Sequence, residues 1–340
     1  MFERRKEQTR IIPPGETRAV TVTTEIRADP LTGLTVRITQ PRIDDPPIDF
    51  GDPPYLQRIA ESAQGCPFCP ERLKDSTPRF PSRIVGEGRF VTGQSVLFPN
   101  TVPYGRHSAV STFSPDHFIE IGHFSERDYR DNLINARRYV SRVCEVDRAV
   151  RYAAVTQNYL PSSGGTLVHP HLQINLFARP TNYQRRLADC STRFLKRTGR
   201  SFWTELLERE EGLQERFVAR TGPIAWLAPF APAGRKEVWA VFEERSDFRE
   251  VSDDEISALS RGVLAVERYW RDTGNNGFNI GIYSLADRHE SYRILVRMLV
   301  RTRFVAYARN DQSYFEVILG EAATDEFPEK IAADLRKYFE

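Results

Sequence analysis

Residues 168–176 read Val-His-Pro-His-Leu-Gln-Ile-Asn-Leu, with His169, His171 and Gln173 at every second position of an apolar run. A strand alternates its faces, so the spacing predicts these three side chains on one side of a sheet. Imidazole can ligate a metal, act as a base, or attack phosphorus as a nucleophile. The plain alternative is a strand edge carrying solvated polar groups. A second group of reactive residues, Cys66-Pro67-Phe68-Cys69, weighs against it.

Cys-x-x-Cys sets two thiols on one turn, and zinc takes four such ligands in a tetrahedron at about 2.0–2.3 Å. The other two ligands must come from elsewhere, and the six histidines His107, His117, His123, His169, His171 and His289 are the candidates. A redox pair or two plain buried thiols would also fit two cysteines. The prolines in Gly65-Cys66-Pro67-Phe68-Cys69-Pro70 favour a metal knuckle over the helix start that redox pairs use. Cys144 and Cys190 lie in helical patterns and read as ordinary thiols.

These groups need a scaffold, and 340 residues with 40% hydrophobic content can build a large core in two domains. A net charge of +2 without a basic block gives no nucleic-acid surface. No apolar run reaches membrane-helix length, and Met1-Phe2-Glu3-Arg4-Arg5-Lys6 does not open a signal peptide. Four cysteines in so long a chain do not make a disulfide framework. The expectation is a reducing, cytoplasmic protein. Arginine outnumbers lysine, which suits small phosphorylated ligands but also fits a coding bias.

Strand patterns occur at 18–26 and 35–39, joined by the turn Asp29-Pro30-Leu31-Thr32-Gly33. Others occur at 90–98, 108–113, 151–158 and 168–177. Ser125-Glu126-Arg127-Asp128 caps a helix to about 147, and a charged helical region covers 182–219. After Thr221-Gly222-Pro223 the pattern repeats. Strands are expected at 224–228, 237–242, 277–283, 291–300 and 312–319, with a helix capped by Ser252 and another after Pro328. The fold class is α+β, with a catalytic part at 1–215 and a related part at 216–340 that lacks the His-x-His-x-Gln segment.

Jointly these motifs resemble the galactose-1-phosphate uridylyltransferase family of the histidine-triad superfamily. Asp29 to Gly33 is similar to the family's N-terminal Asn-Pro-Leu-Thr-Gly turn. Arg42 falls at a nucleotide-phosphate arginine, Asn100 at a ribose contact and Asn158 near the transferred phosphate. The resemblance makes Cys66, Cys69, His117 and His169 the ligands of one structural zinc. It makes His171 the nucleophile and Gln173 the phosphoryl-contacting amide. Gly164 and Gly165, ahead of the strand, allow close approach of backbone to phosphate or form a plain loop. It implies two tandem histidine-triad-like domains, each an antiparallel sheet with packed helices, assembled as a homodimer.

The implied reaction is transfer of a nucleoside monophosphate from a nucleotide sugar, through a covalent nucleotidyl-histidine, to a sugar phosphate or other phosphate-bearing acceptor. Departures keep two alternatives open. Leu172 replaces the usual glycine, as in dinucleoside-polyphosphate phosphorylases, which use inorganic phosphate. Asp45 stands at a second phosphate arginine. Tyr292-Arg293-Ile294-Leu295-Val296-Arg297 replaces a histidine-rich strand, and Ser313-Tyr314-Phe315-Glu316 only shadows the sugar-phosphate run. A nucleotide-binding protein without turnover is the third reading, and it leaves His171 and Gln173 without a purpose.

Overall fold

The computed structural model describes residues 1–39, 48–305 and 310–340. It is α+β, as the sequence predicts. The strands are β1 Arg4–Ile11, β2 Val20–Ala28, β3 Thr35–Thr39, β4 Phe90–Thr92, β5 Ser95–Pro99, β6 His107–Thr112, β7 Tyr152–Tyr159, β8 His171–Phe177, β9 Phe217–Thr221, β10 Ile224–Leu227, β11 Arg235–Phe242, β12 Phe278–Leu285, β13 Leu295–Val300 and β14 Ala322–Thr324. The helices are α1 Pro53–Ser62, α2 Pro70–Ser76, α3 Glu126–Val146, α4 Asn182–Thr198, α5 Phe202–Leu213, α6 Asp253–Asp272, α7 Tyr314–Val317 and α8 Pro328–Arg336. Strands β1-β2-β3-β14 form a small sheet, in which only the β3–β14 pair is parallel among the described residues.

The ten strands β4 to β13 form one antiparallel sheet, in the order β4-β5-β6-β8-β7-β12-β13-β11-β10-β9. Its two halves meet where β7 pairs with β12, and outward from that seam the orders correspond. β7-β8-β6-β5-β4 matches β12-β13-β11-β10-β9, with α3 and α6 as the matching crossover helices. Thr156 pairs with both Gly281 and Gln173, and Gly281 pairs with Arg297. A two-fold taken through the Thr156–Gly281 pair makes Arg297 the counterpart of Gln173. Stepping back by two, Leu295 matches His171 and Arg293 matches His169. The second half therefore carries Arg-x-Leu-x-Arg where the first carries His-x-His-x-Gln.

Helix α3 starts where Ser125 Oγ accepts from the Asp128 N–H and the Asp128 carboxylate accepts from the Ser125 N–H. The same box, Ser252 with Glu255, opens α6. Each reciprocal cap satisfies two donors that a helix start leaves open. Leu133, Ala136, Val140 and Val143 then recur at helical spacing and pack with α6 and α8 on one face of the sheet. On the other face, α4 and α5 cover mainly the second half, with Leu187, Trp203 and Leu206 on Leu227, Trp239 and Leu295. The first half's share of that face holds His171 and Gln173.

Several sequence expectations give way. Residues 90–98 form a hairpin, since Val91 pairs with Val96 around Gly93 at φ 55°. The region 182–219 divides at Gly199, also of positive φ, and ends in β9. The segment 312–319 holds a helical turn, α7, because Ser313 and Glu316 form a third capping box. β1, fully exposed and rich in charge, has no burial pattern to betray it.

Beneath the seam lies a carboxyl group with no ion-pair partner among the described residues. Glu267 of α6 is 0% exposed, bonds the Tyr129 hydroxyl, and accepts from the Gly122 N–H at 3.3 Å. Tyr129 in turn donates to Gln157 Oε1 at 2.9 Å. The Tyr129 hydroxyl also donates toward Glu267, and the carboxyl lies wholly out of water. Burial accordingly pushes Glu267 up from 4.5 to about 8. Its contribution to stability is complete below the free carboxyl's value and is lost as pH rises through about 8, at about 1.4 kcal/mol per pH unit. Glu267→Gln keeps both contacts without the proton. Denaturant unfolding from pH 5 to 9 should show a flatter stability profile for this variant and a higher midpoint than the parent above pH 8. Parallel profiles would reject the protonated carboxyl.

Candidate active site and metal cluster

His169 lies just ahead of β8 in the Pro170 bend, so it does not share the strand with His171 and Gln173. The bend turns its ring toward Cys66, Cys69 and His117, and the four donor atoms lie within 4.8 Å of one another. Cys69 Sγ is 3.4 Å from His117 Nδ1 and 3.8 Å from His169 Nδ1. A tetrahedral ion with sulfur and nitrogen ligands would set them about 3.5 Å apart. His169 Nε2 lies 3.1 Å from the Ser114 carbonyl, which can only accept, so its proton is there and the Nδ1 lone pair faces the cluster. His117 Nε2 lies 2.9 Å from Ser62 Oγ, whose own proton goes to the Ile59 carbonyl at 2.7 Å. That leaves His117 Nδ1 as a ligand too.

The electrostatics agree. Burial and the neighbouring Cys66 push the Cys69 thiol up to about 12, so a thiolate there needs a cation beside it. Burial also holds His169 down at about 4 and lowers His117, keeping both rings neutral as ligation requires. The donor set fits a metal ion with four protein ligands. It would join three segments: the turn before α2, the loop after β6 and the bend before β8. Cys144 and Cys190 lie outside the cluster, buried and free.

The same bend fixes His171. Its ring is buried, and its Nδ1 donates to the His169 carbonyl at 2.8 Å. The lone pair is thereby left on Nε2. Burial lowers the imidazole's affinity for a proton, more than the carbonyl contact raises it. Phe68, between the two cysteines, meets the His171 ring edge-on at 5.3 Å and Phe98 at the same distance. His171 and Gln173 open into a cleft of about 410 Å³ lined by Asn100, Thr166, Phe98 and Tyr104 among others. Asn100 Oδ1 accepts from the Val102 N–H at 3.0 Å, which shapes one wall.

Asn158, Gly164 and Gly165 sit beside this cleft. Asn158 follows Gln157, the partner of Leu172, and so is the neighbour of His171 across the strand pair. Its Nδ2 lies 3.4 Å from the Gly164 carbonyl. Gly164 has φ 92°, and a side chain on Gly165 would come to 3.3 Å from the carbonyls of Asn158 and Leu160. Leu160, buried and not a glycine, also has positive φ, at 68°. Arg42 and Asp45 lie outside the described residues. Sequence reasoning missed Phe68 and Thr166. The central position of the Cys-x-x-Cys turn was a signal for the first, and no pattern marked the second.

No protein-family model matches the chain. An uncharacterized protein of Archaeoglobus fulgidus is 30% identical over 336 residues, spanning 99% of this chain and 98% of the archaeal one. The chain belongs to that protein's family. Among solved structures, an ADP-glucose phosphorylase from Arabidopsis thaliana with bound ADP-glucose matches with TM-score 0.70 and 17% identity, over 92% of this chain and 99% of the other. A GalT-like protein from the same plant matches at 0.69 with 17% identity, over 92% and 98%. A uridylyltransferase matches at 0.66 with 18% identity, also over 92% and 98%. The shared fold is that of the galactose-1-phosphate uridylyltransferase family, as the sequence resemblance implies. No helix among the described residues is long and apolar enough to cross a membrane.

Partners behind metal ligands typically tune affinity by ten- to a hundredfold. Ser62→Ala removes the acceptor that sets the His117 tautomer. Competition with a chromophoric chelator should show its affinity for a divalent ion falling by about tenfold or more. Affinity equal to the parent's would reject the assignment of Nδ1 as ligand.

Proposed function

We propose that this chain is a nucleotidyltransferase working through a covalent nucleotidyl-His171. One observation carries the reading: the 2.8 Å bond from His171 Nδ1 to the His169 carbonyl, which leaves the Nε2 lone pair beside a cleft shared with Gln173. In the first step Nε2 attacks the α-phosphorus of a nucleotide sugar. The P–N bond forms, the bridging P–O bond breaks, and a sugar 1-phosphate leaves. In the second step a phosphate oxygen of the acceptor attacks the same phosphorus and the P–N bond breaks. Gln173 donates to a non-bridging oxygen as charge moves onto it. Asn100 faces the nucleoside, and Asn158, Gly164 and Gly165 face the phosphates. Arg42 is assigned to the phosphates on the family resemblance alone.

We assign zinc to Cys66, Cys69, His117 and His169. Two thiolates and two imidazoles suit that ion and close its tetrahedron, so it would brace the site without an open catalytic position. The reading extends to a cytoplasmic homodimer. Four free thiols accord with a reducing compartment, and the exposed apolar run Tyr314, Val317, Ile318 and Leu319 accords with self-association.

A second reading makes inorganic phosphate the acceptor. Leu172 favours it, and so does the similarity to an ADP-glucose phosphorylase. The same test separates the two. The protein is incubated with ADP-glucose or UDP-glucose, and the acid-labile adduct is weighed on the intact chain. The preformed adduct is then offered phosphate and a panel of sugar 1-phosphates. Galactose 1-phosphate should discharge it poorly compared with another acceptor, since the histidine strand and its hydrogen-bond partners are replaced at 292–297.

His171→Ala should form no adduct while keeping its zinc, and full transfer by this variant would end the covalent mechanism. Gln173→Ala should form the adduct roughly a hundredfold more slowly. Elemental analysis should find about one zinc per chain, lost in the Cys66→Ser, Cys69→Ser double variant together with stability, because the ion would tie three segments. Stoichiometric zinc in that variant would reject the ligand set.

A further inference from the structure

Asn158 belongs to a chain of polar contacts that starts in the second half of the molecule. Arg301, just past β13, donates from Nη1 to Asn279 Oδ1 at 2.5 Å. Asn279 of β12 donates from Nδ2 to Asn158 Oδ1 at 2.7 Å and to the Ser163 carbonyl at 3.0 Å. Asp311 holds the other side of the guanidinium, accepting from Nε at 2.5 Å and from Nη2 at 3.2 Å, and Thr302 Oγ1 donates to the same carboxylate at 2.6 Å.

The order of donors and acceptors has only one solution. A guanidinium has donors and no acceptor, so the Asn279 atom facing it must be the oxygen. The Asn279 amide nitrogen is therefore forced toward β7. The Asn158 atom that meets it must then be an oxygen as well. This places the Asn158 NH2 group on the side of Gly164 and His171. One of its protons reaches the Gly164 carbonyl at a long 3.4 Å, and the other has no acceptor among the described residues. A carboxamide left to itself could present either end.

We propose that Arg301 is a positioning residue that, through Asn279, fixes the Asn158 carboxamide with its N–H donors toward the phosphoryl group held beside His171. The inference rests on the nucleotidyl-transfer reading above. Reversal of the amide would bring a carbonyl oxygen against a phosphate oxygen and replace attraction by repulsion as negative charge builds. The same contacts seat the loop before the histidines. Asn279 holds the Ser163 carbonyl, and Gly277 admits the close approach, since a side chain there would lie 2.4 Å from the Thr302 carbonyl and 3.0 Å from Ser163 Oγ. The second half has lost the reactive motif and retains a part in aiming the first half's donors.

The test uses the full chain with its metal and measures adduct formation from ADP-glucose and UDP-glucose by rapid quench and intact mass. Arg301→Met should slow the maximal rate by roughly a hundredfold, with the half-saturating sugar concentration changed by only a few-fold. Arg301→Lys, still a donor without an acceptor, should recover most of the rate. Asn279→Asp keeps a partner for Arg301 and protects the fold, but it offers Asn158 only acceptors. It should turn the amide round and slow the reaction to a similar degree. In an Asn158→Ala background, Arg301→Met should add at most about threefold. Parental rates in both Arg301→Met and Asn279→Asp would overturn the proposal. So would an equal loss from Arg301→Met with and without Asn158, the mark of a merely structural role. A parent chain that forms no adduct from either sugar would overturn the functional reading itself and this inference with it.

Discussion

His169 is used twice, and the rest of the site depends on that double use. Its ring nitrogen faces the two cysteines and His117, while its carbonyl takes the proton of His171. The ring fixes the bend, the bend fixes the carbonyl, and the carbonyl decides which nitrogen of the next histidine is free. A nucleophile must be held in place as well as unprotonated. For His171 in the proposed role, both conditions come from one residue whose side chain does not line the cleft. Phe68 adds a third support, because the turn that presents the cysteines also sets an aromatic edge against the His171 ring.

The sheet explains how a chain of two similar halves supports a single site. Gln173 and Arg297 lie in one row of paired residues across the seam, Gln173–Thr156–Gly281–Arg297, and the two have opposite surroundings. Gln173 opens onto a cleft. Arg297 is covered by the Tyr183 ring at 4.7 Å and bound to Glu237 at 2.7 Å. Helices α4 and α5 make the difference, since they lie over Arg297 and leave Gln173 open to the cleft. A paired guanidinium under an aromatic ring suits a packed interior. A half-buried amide beside an imidazole suits a ligand.

Much of this was legible in the sequence, for identifiable reasons. The cysteines and histidines announce themselves by type and spacing, because few other roles need that combination. The helices at 126–146 and 253–272 carry both a capping box and an apolar stripe. What escaped reading depends on contacts between distant segments. Thr166 lines the cleft only because the loop after β7 folds back over it. Arg301 and Asn279 reach Asn158 only because two halves share a sheet edge to edge. Residues 312–319 alternate like a strand, yet a local cap at Ser313 outweighs that pattern over so short a span.

The seam constrains motion as well as geometry. Eight consecutive residue pairs join β7 to β12, from Tyr159 opposite Phe278 to Tyr152 opposite Leu285. A ladder of that length has no hinge, so the halves cannot part and close like the lobes of a clamshell. Ligand entry and exit must then rely on small, local displacements. The segment placed to make them is 100–106 above the aromatic wall, which has no ladder of its own. The pace of such a protein would be set by its loops.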